Sequence, residues 1–210
     1  MLIIKHLGLV ALLSIFLAAC GEEQRYTPLP KTATVAILGD SLSYGTGAAK
    51  GQDYPSLLAA NTGWIIINAA VPGDTSADGL ERLHDLLDNH EIDLLIVELG
   101  GNDFLKRLPE AETKHNLKSI LTEIKANNVQ PLLVAIPEFS PFGAAVGSLS
   151  DHSLYEKLAK ETDTPLIEDI FSEVLGKNAL KSDPIHPNAE GYRIIEENLR
   201  KALTKKGFLN

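Results

Sequence analysis

The residue types that acyl-transfer chemistry requires stand near the two ends of this 210-residue chain. Ser41 directly follows an apolar run, within Gly39-Asp40-Ser41-Leu42, and Asp183 precedes His186 by three positions. A serine hydroxyl is a poor nucleophile unless a histidine accepts its proton and a carboxylate orients that histidine. The three side chains therefore predict a nucleophilic site that attacks an acyl carbonyl.

Two positions between these segments, Gly73 and Asn102, supply groups that can donate hydrogen bonds to a developing oxyanion. Each candidate residue also has an ordinary structural explanation. Ser41 suits a helix N-cap, Asp183 a turn, and Asn102 a loop position in the left-handed conformation. The structural explanation is favoured for any one of them alone, and the catalytic explanation for all of them together in this order.

The alternation of apolar runs and amphipathic stretches predicts an α/β protein. We expect a flavodoxin-like three-layer α/β/α fold with a central five-stranded parallel sheet, because strands and helices alternate at this spacing. Such sheets carry their sites beyond the carboxyl ends of the strands, where Ser41, Gly73 and Asn102 would lie. The predicted strands are Thr34–Leu38, Trp64–Asn68, Asp93–Leu99, Leu132–Ile136 and Pro165–Ile167. The predicted helices are Tyr54–Ala60, Ser76–Asn89, Ala111–Asn127, Ser153–Thr162 and Asn188–Lys206.

The amino-acid composition excludes several classes of protein. The chain is 44% hydrophobic and 22% charged, which allows a sizeable core and argues against global disorder. The formal net charge of −9, without a dense Lys and Arg cluster, argues against nucleic-acid binding. The single cysteine, Cys20, excludes an intrachain disulfide and a cysteine zinc cage. We expect neither metal nor cofactor, and we expect surface positions for the histidines without metal spacing, which are His84, His90, His115 and His152.

The first residues predict an export segment. Lys5 gives a short basic start, and the apolar run from Leu7 to Ala19 has the length of a signal-peptide core. The run ends in Leu17-Ala18-Ala19-Cys20-Gly21, which resembles a bacterial lipobox. The resemblance implies cleavage before Cys20 and lipidation of Cys20, and an ordinary signal peptide is the alternative.

These patterns divide the chain into a lipoprotein signal peptide over 1–19, a lipidated tether over 20–31 and one domain over 32–210. We expect an exported protein that is anchored to the cell-envelope membrane through Cys20. In a Gram-negative cell this is the periplasmic side. Gly21 differs from the aspartate that retains enterobacterial lipoproteins in the inner membrane, which favours the outer membrane.

Motifs in a fixed order make a family resemblance specific. The motifs are Gly39-Asp40-Ser41-Leu42-Ser43, Gly73-Asp74-Thr75-Ser76, Gly100-Gly101-Asn102-Asp103 and Asp183-x-x-His186-Pro187-Asn188. With these motifs the chain resembles the SGNH (GDSL) hydrolases from about Thr34 to Leu203. The longer runs around Gly73 and Asn102 are similar to the bacterial branch of acyl-thioesterases, lysophospholipases and arylesterases.

This resemblance implies a role for each matching residue. Ser41 would be the nucleophile, His186 the general base and later the general acid, and Asp183 the group that orients His186. The oxyanion hole would combine the backbone N–H groups of Ser41 and Gly73 with the Asn102 amide. Asp40 and Asp103 would tie loops around the site, and residues 74–79 resemble the family's mobile substrate loop or form a plain strand–helix connection.

The implied activity is hydrolysis of carboxylic esters or thioesters by a monomer that uses no cofactor. Because an exported protein would rarely meet acyl-CoA, lipid and lysolipid esters near the membrane are the favoured substrates, followed by acetylated glycans and aryl esters. A carbohydrate O-acetylesterase of the same fold is one alternative. A lipoprotein that kept the fold as a non-catalytic ligand-binding module is the other.

Overall fold

The computed structural model describes residues 26–138, 140, 143 and 147–210. The predicted signal peptide and the predicted lipidation site at Cys20 lie outside these residues. Within them, no helix combines the length and the apolar character that crossing a membrane requires.

Five parallel strands form one sheet in the described part of the chain. The strands are β1 (Thr34–Gly39), β2 (Ile65–Asn68), β3 (Leu94–Glu98), β4 (Gln130–Val134) and β5 (Leu166–Ile167). They lie in the order β2-β1-β3-β4-β5, and the register places Ile37 of β1 between Asn68 of β2 and Ile96 of β3. The predicted parallel sheet is therefore confirmed.

Helices connect the strands and cover the sheet. The described helices are α1 (Ser41–Tyr44), α2 (Tyr54–Thr62), α3 (Ser76–Asn89), α4 (Gly101–Leu105), α5 (Glu110–Ala126), α6 (Leu154–Thr162), α7 (Ser172–Leu175) and α8 (Ala189–Lys206), with a 3₁₀ turn at Asn178–Leu180. In one group, α3 contacts α5 and α5 contacts α6. In the other, α8 contacts both α2 and α7.

The central strands are buried on both faces, as their continuous apolar sequence indicates. Every residue of β3 is buried, as are all residues of β1 after Thr34. A capping box begins α3, because the side chains of Thr75 and Asp78 each accept the other residue's backbone N–H. These strands and this cap fix the positions at which the loops of the site begin.

The fourth strand differs from its prediction by two residues, because β4 ends at Val134. The N–H of Ala135 still donates to Ile167 in β5, at 2.9 Å. The carbonyl of Ile136 instead accepts the N–H of His152, at 2.9 Å. The chain therefore leaves the ladder before Pro137, although Ala135 and Ile136 are buried.

The segment before β1 packs against the end of α8. The N–H of Tyr26 donates to the carbonyl of Lys206, and that of Leu29 to Phe208, each at 2.9 Å. The Tyr26 and Phe208 rings stack with centroids 4.4 Å apart. Tyr26 and Leu29, which the sequence assigns to a tether, therefore pack on the folded body.

Candidate active site

Three of the predicted residues form a continuous chain of hydrogen bonds. The Oγ of Ser41 lies 2.9 Å from Nε2 of His186, and Nδ1 of the same ring lies 2.7 Å from Oδ2 of Asp183. The residues are up to 145 positions apart in sequence. The arrangement can pass a proton from the hydroxyl to the imidazole while the carboxylate holds the ring.

The backbone N–H groups of the turn that carries Asp183 favour the ionised form of its carboxyl group. Oδ1 of Asp183 accepts the N–H groups of Ile185 and His186, each at 2.9 Å. Burial works against ionisation, but the hydrogen bonds from the His186 ring and from these two N–H groups outweigh it and lower the pKa of Asp183. Asp183 is thus both the turn residue and the partner of the histidine.

Ser41 is the first residue of the short helix α1, and its N-cap is Asp40. Oδ1 of Asp40 accepts the N–H of Leu42 at 3.0 Å. The capping role that could have explained Ser41 therefore belongs to its neighbour. The Ser41 hydroxyl is left to face His186.

Asp40 is a buried carboxyl directly beside the hydroxyl. Burial raises the pKa of Asp40 most, the Leu42 N–H and His186 lower it, and the charges of Asp74 and Asp103 raise it, with a net pKa of about 7. Its second oxygen accepts a hydrogen bond from the Asn102 amide, at 2.9 Å. Asp40 thus ties the Ser41 and Asn102 segments together, as expected.

The Asn102 amide is held by two loops. Besides Asp40, its Nδ2 donates to the carbonyl of Asp74, at 2.8 Å. Both amide hydrogens therefore have protein partners here. To donate to a substrate oxygen, the amide must share one of these hydrogens or release a partner.

Gly73 lies in the neighbouring loop between β2 and α3. Its φ of 90° is in the left-handed region, and a Cβ built on it would meet nothing within 4 Å. Glycine is therefore required by backbone conformation rather than by close protein contacts. Lys106 Nζ donates to the Gly73 carbonyl at 3.2 Å.

Arg82 on α3 attaches this loop to the sheet. Its Nε donates to Oδ2 of Asp74 at 2.7 Å, its Nη2 to the carbonyl of Gly39 at 3.0 Å, and its Nη1 to the carbonyl of Ala69. One guanidinium thus joins the ends of β1 and β2 to the loop that carries Gly73. Arg82 was not predicted from the sequence, because the residues that accept its hydrogen bonds are distant in the chain.

Glu98 is a second supporting residue of the site that was not predicted from the sequence. It ends the buried strand β3, and its Oε2 accepts the Ser43 hydroxyl at 2.5 Å and the Ser43 N–H at 3.1 Å. The Tyr54 hydroxyl lies 2.6 Å from Ser43 Oγ. Burial, followed by the charge of Asp40, raises the pKa of Glu98 well above its ordinary value. A carboxyl in an otherwise apolar strand was the available sequence signal.

Residues 74–79 form a connection that leads directly into a helix. Ser76 to Gly79 make the first turn of α3, and Ser76 is fully buried. Asp103 accepts the Ser76 N–H at 2.8 Å and its hydroxyl at 2.5 Å. Asp103 therefore ties α4 to α3, as predicted, and the turn at 76–79 is anchored in this structure.

A groove with about 680 Å³ of empty space, partly open to solvent, lies beside Ser41 and His186. We call it the Ser41 groove. Apolar side chains dominate its lining, and Gly73 is not among the lining residues. The apolar lining is formed by Leu42, Phe104, Leu105, Ile136, Pro137, Leu149, Leu175, Pro184 and Ile185.

The other histidines divide into two groups. His84, His90 and His115 are exposed, as expected. His152 is half-buried, because its ring stacks on Phe104 with centroids 4.2 Å apart. In the described part of the chain, no group of three His, Cys, Asp or Glu residues is arranged to hold a metal ion.

Known proteins resemble this chain over most of its length. Residues 37–194 match the GDSL-like Lipase/Acylhydrolase family. The chain is 38% identical over 175 residues to thioesterase 1/protease 1/lysophospholipase L1 of Escherichia coli strain K12, covering 81% of this chain and 83% of that protein. It is 31% identical over 175 residues to an arylesterase of Vibrio mimicus, covering 80% of this chain and 87% of that protein.

A solved structure has the same fold. Esterase EstA from Pseudoalteromonas sp., in a crystal structure inhibited by monoethylphosphonate, matches with a TM-score of 0.71 and 28% identity, covering 82% of this chain and 97% of that one. The match extends over most of the described domain. The chain belongs to the GDSL-like lipase/acylhydrolase family, and it is a carboxylic ester hydrolase.

Proposed function

We propose that the chain hydrolyses acyl esters with Ser41 as nucleophile, His186 as general base and acid, and Asp183 as the group that orients His186. The observation that carries this proposal is the hydrogen-bonded series Ser41–His186–Asp183 at the mouth of an apolar groove. The lowered pKa of Asp183 supports it, because an ionised carboxylate stabilises the imidazolium that forms during the reaction.

The reaction proceeds in two halves. Ser41 Oγ attacks the ester carbonyl while His186 Nε2 takes the hydroxyl proton, and the resulting tetrahedral oxyanion collapses to an acyl-serine. His186 gives its proton to the departing alcohol or thiol. Water then attacks the acyl-serine while His186 accepts its proton, and a second tetrahedral oxyanion forms. This oxyanion collapses, the bond to Ser41 Oγ breaks, His186 returns the proton to Oγ, and the carboxylic acid leaves.

The proposed oxyanion hole combines the N–H groups of Ser41 and Gly73 with the Asn102 amide. Two features support it. Asn102 is held beside Asp40, which adjoins Ser41, and Arg82 holds the loop of Gly73 against the end of β1. Donors that are fixed before reaction favour the transition state most strongly, and the Asn102 amide meets this condition in position while it shares or releases one of its two present partners to donate to the oxyanion.

The proposed substrates are lysolipid, aryl and other esters with an apolar acyl group. The apolar lining of the Ser41 groove favours such a group over the polar sugar of an acetylated glycan. The relatives carry lysophospholipase, thioesterase and arylesterase names, which agree with this class. Thioester hydrolysis is a further capacity of the same chemistry.

A substrate comparison tests the proposal directly. We expect the purified protein to hydrolyse p-nitrophenyl acyl esters and lysophospholipids with a higher kcat/KM than it shows on acetylated oligosaccharides. A preference for the acetylated sugars would contradict the proposed substrate class while leaving the ester hydrolase intact.

We further propose an exported lipoprotein that is lipidated at Cys20 and held at the envelope membrane. The sequence Leu17-Ala18-Ala19-Cys20 supports this proposal. Radiolabelled palmitate should be incorporated into the wild-type chain and not into Cys20→Ser. Equal incorporation in both would contradict lipidation at Cys20.

A further inference from the structure

Phe104 contributes an aromatic ring to the Ser41 groove. It lies two residues after Asn102 in α4, and among the described residues it is the only Phe, Tyr or Trp in the groove lining. Its ring is half-buried, so one part faces the groove and another packs on the protein. An acyl chain bound beside Ser41 shares this space with the ring.

Two other rings hold Phe104 in place. The His152 ring lies parallel to it, with an interplanar angle of 4° and centroids 4.2 Å apart. Tyr155 presents its edge at 6.3 Å and an angle of 86°. Parallel and edge-on contacts of this kind stabilise aromatic pairs beyond the area that they bury.

Both supporting rings are themselves anchored. His152 Nδ1 accepts the N–H of Leu154 at 3.2 Å, and the His152 N–H donates to Ile136. Tyr155 is fully buried, and its hydroxyl donates to the carbonyl of Leu99 at 2.8 Å. The start of α6 therefore fixes the ring that α4 carries into the groove.

We infer that Phe104 is a specificity-determining residue that limits the length of the acyl chain, and that His152 is a positioning residue that keeps its ring in place. This inference rests on the proposed function of the groove. A ring that is packed on a face and an edge resists displacement by a longer chain, since moving it breaks both contacts. The ring therefore sets the longest acyl chain that the groove accepts, and among lysolipid and aryl esters it favours those with the shorter acyl groups.

The test is a chain-length profile measured on the full chain, purified in the same detergent for every variant. The probes are p-nitrophenyl esters from acetate to palmitate, and the readout is the ratio of kcat/KM on long esters to that on short esters. For Phe104→Ala we expect this ratio to rise by roughly ten-fold or more, because one methylene in an apolar pocket changes kcat/KM by about that factor. For Phe104→Trp we expect it to fall.

His152 is tested through the same ratio. His152→Ala should move the ratio toward that of Phe104→Ala, while His152→Phe should restore the wild-type ratio by supplying a ring to stack on. His115→Ala, an exposed histidine on α5, is the matched control and should leave the ratio unchanged. Thermal unfolding of each variant identifies any that fail to fold, and the Phe104→Trp and His152→Phe variants keep the test decisive in that case.

The outcomes separate this inference from the proposed function. If the wild-type chain hydrolyses none of the esters, the proposed function fails. If it does hydrolyse them and the ratio is the same in Phe104→Ala and Phe104→Trp, the limit set by Phe104 is overturned. If Phe104→Ala shifts the ratio and His152→Ala does not, the positioning role of His152 is overturned.

Discussion

At the scale of single residues, Asn102 serves both the fold and the proposed chemistry. Its amide connects the carboxyl of Asp40 to the carbonyl of Asp74, so it links the loops after β1 and β2. In the proposed mechanism the same nitrogen must strengthen a bond to the oxyanion as the ester carbonyl becomes tetrahedral. An interaction that forms mainly in the transition state raises kcat rather than substrate affinity.

Asn102→Ala should therefore lower kcat by about 10²–10³ while KM changes little. Steady-state kinetics on one p-nitrophenyl ester measure both values. Asn116→Ala is a suitable control, because Asn116 donates to the Ser76 hydroxyl at 3.1 Å and is assigned no part in the chemistry. A large rise in KM at unchanged kcat would place Asn102 in substrate binding instead.

The hydrogen-bonded series Ser41–His186–Asp183, our proposed triad, could be anticipated from sequence because these residue types occur together in a fixed order. Their supporting residues could not. Arg82 contacts Gly39, which is 43 positions away, and nothing in the local pattern of α3 indicates that partner. Likewise, the stacking that half-buries His152 depends on Phe104, which lies 48 positions earlier in helix α4.

At the scale of elements, the helix that carries Ser41 is too short to be stable alone. Helix α1 has four residues, and nucleation of a single turn is unfavourable. Contacts from elsewhere hold it: Asn68 Nδ2 donates to the Ser43 carbonyl at 2.8 Å, and Glu98 accepts the Ser43 hydroxyl and N–H. The strand ends therefore determine where Ser41, the proposed nucleophile, lies.

The raised pKa of Glu98 makes a pH-dependent prediction. A carboxyl whose pKa is higher in the folded than in the unfolded chain retains its proton more strongly when folded, so stability falls as pH rises above the unfolded value near 4.5. Glu98→Gln mimics the protonated form and lacks this titration. The unfolding free energy of the variant relative to wild type should therefore increase with pH above about 4.5.

Urea unfolding at several pH values measures this difference. Glu98→Gln should also retain most of the hydrolytic activity, since the amide oxygen can still accept from Ser43. A difference that is independent of pH, or that decreases as pH rises, would contradict a Glu98 that is buried in its neutral form.

The strands and the long helices could be predicted from apolar runs and apolar periodicity, whereas the shortest helices could not. Strands β1 and β3 were predicted within one residue at each end, because their buried runs are continuous. Helices α1, α4 and α7 were missed, because four or five residues show no periodicity and tertiary contacts hold such short helices. Two of these helices carry residues of the proposed site, since α1 contains Ser41 and α4 contains Asn102.

At the scale of the whole molecule, the folded body begins earlier than the sequence indicates. Tyr26 and Leu29 pack against the chain just after α8, where the Tyr26 ring covers Phe208. Polar composition and two prolines suggested a free tether, and the pairing with the C-terminal end could not be read from that pattern. A domain that starts at Thr32 would expose part of this surface.

A protein comprising residues 32–210 should therefore be less stable than one comprising 24–210, by roughly 2 kcal/mol, because a stacked aromatic and a packed leucine are lost. For a domain of this size that corresponds to a lower Tm by about 4–8 °C. Differential scanning calorimetry measures both, and Tyr26→Ala in the longer protein should reproduce part of the loss. Equal Tm values would show that the docking of Tyr26 and Leu29 adds no stability.

The most direct test of the central claim is mass spectrometry of the 24–210 protein after reaction with an alkyl fluorophosphonate. We expect one adduct, on the peptide that contains Ser41, and we expect ester hydrolysis to be lost in proportion to labelling. Ser41→Ala should fold, take no label and lose turnover by about 10⁶-fold, since the members of a triad act as a unit. An adduct on another residue, or wild-type turnover in Ser41→Ala, would contradict the assignment of Ser41 as the nucleophile.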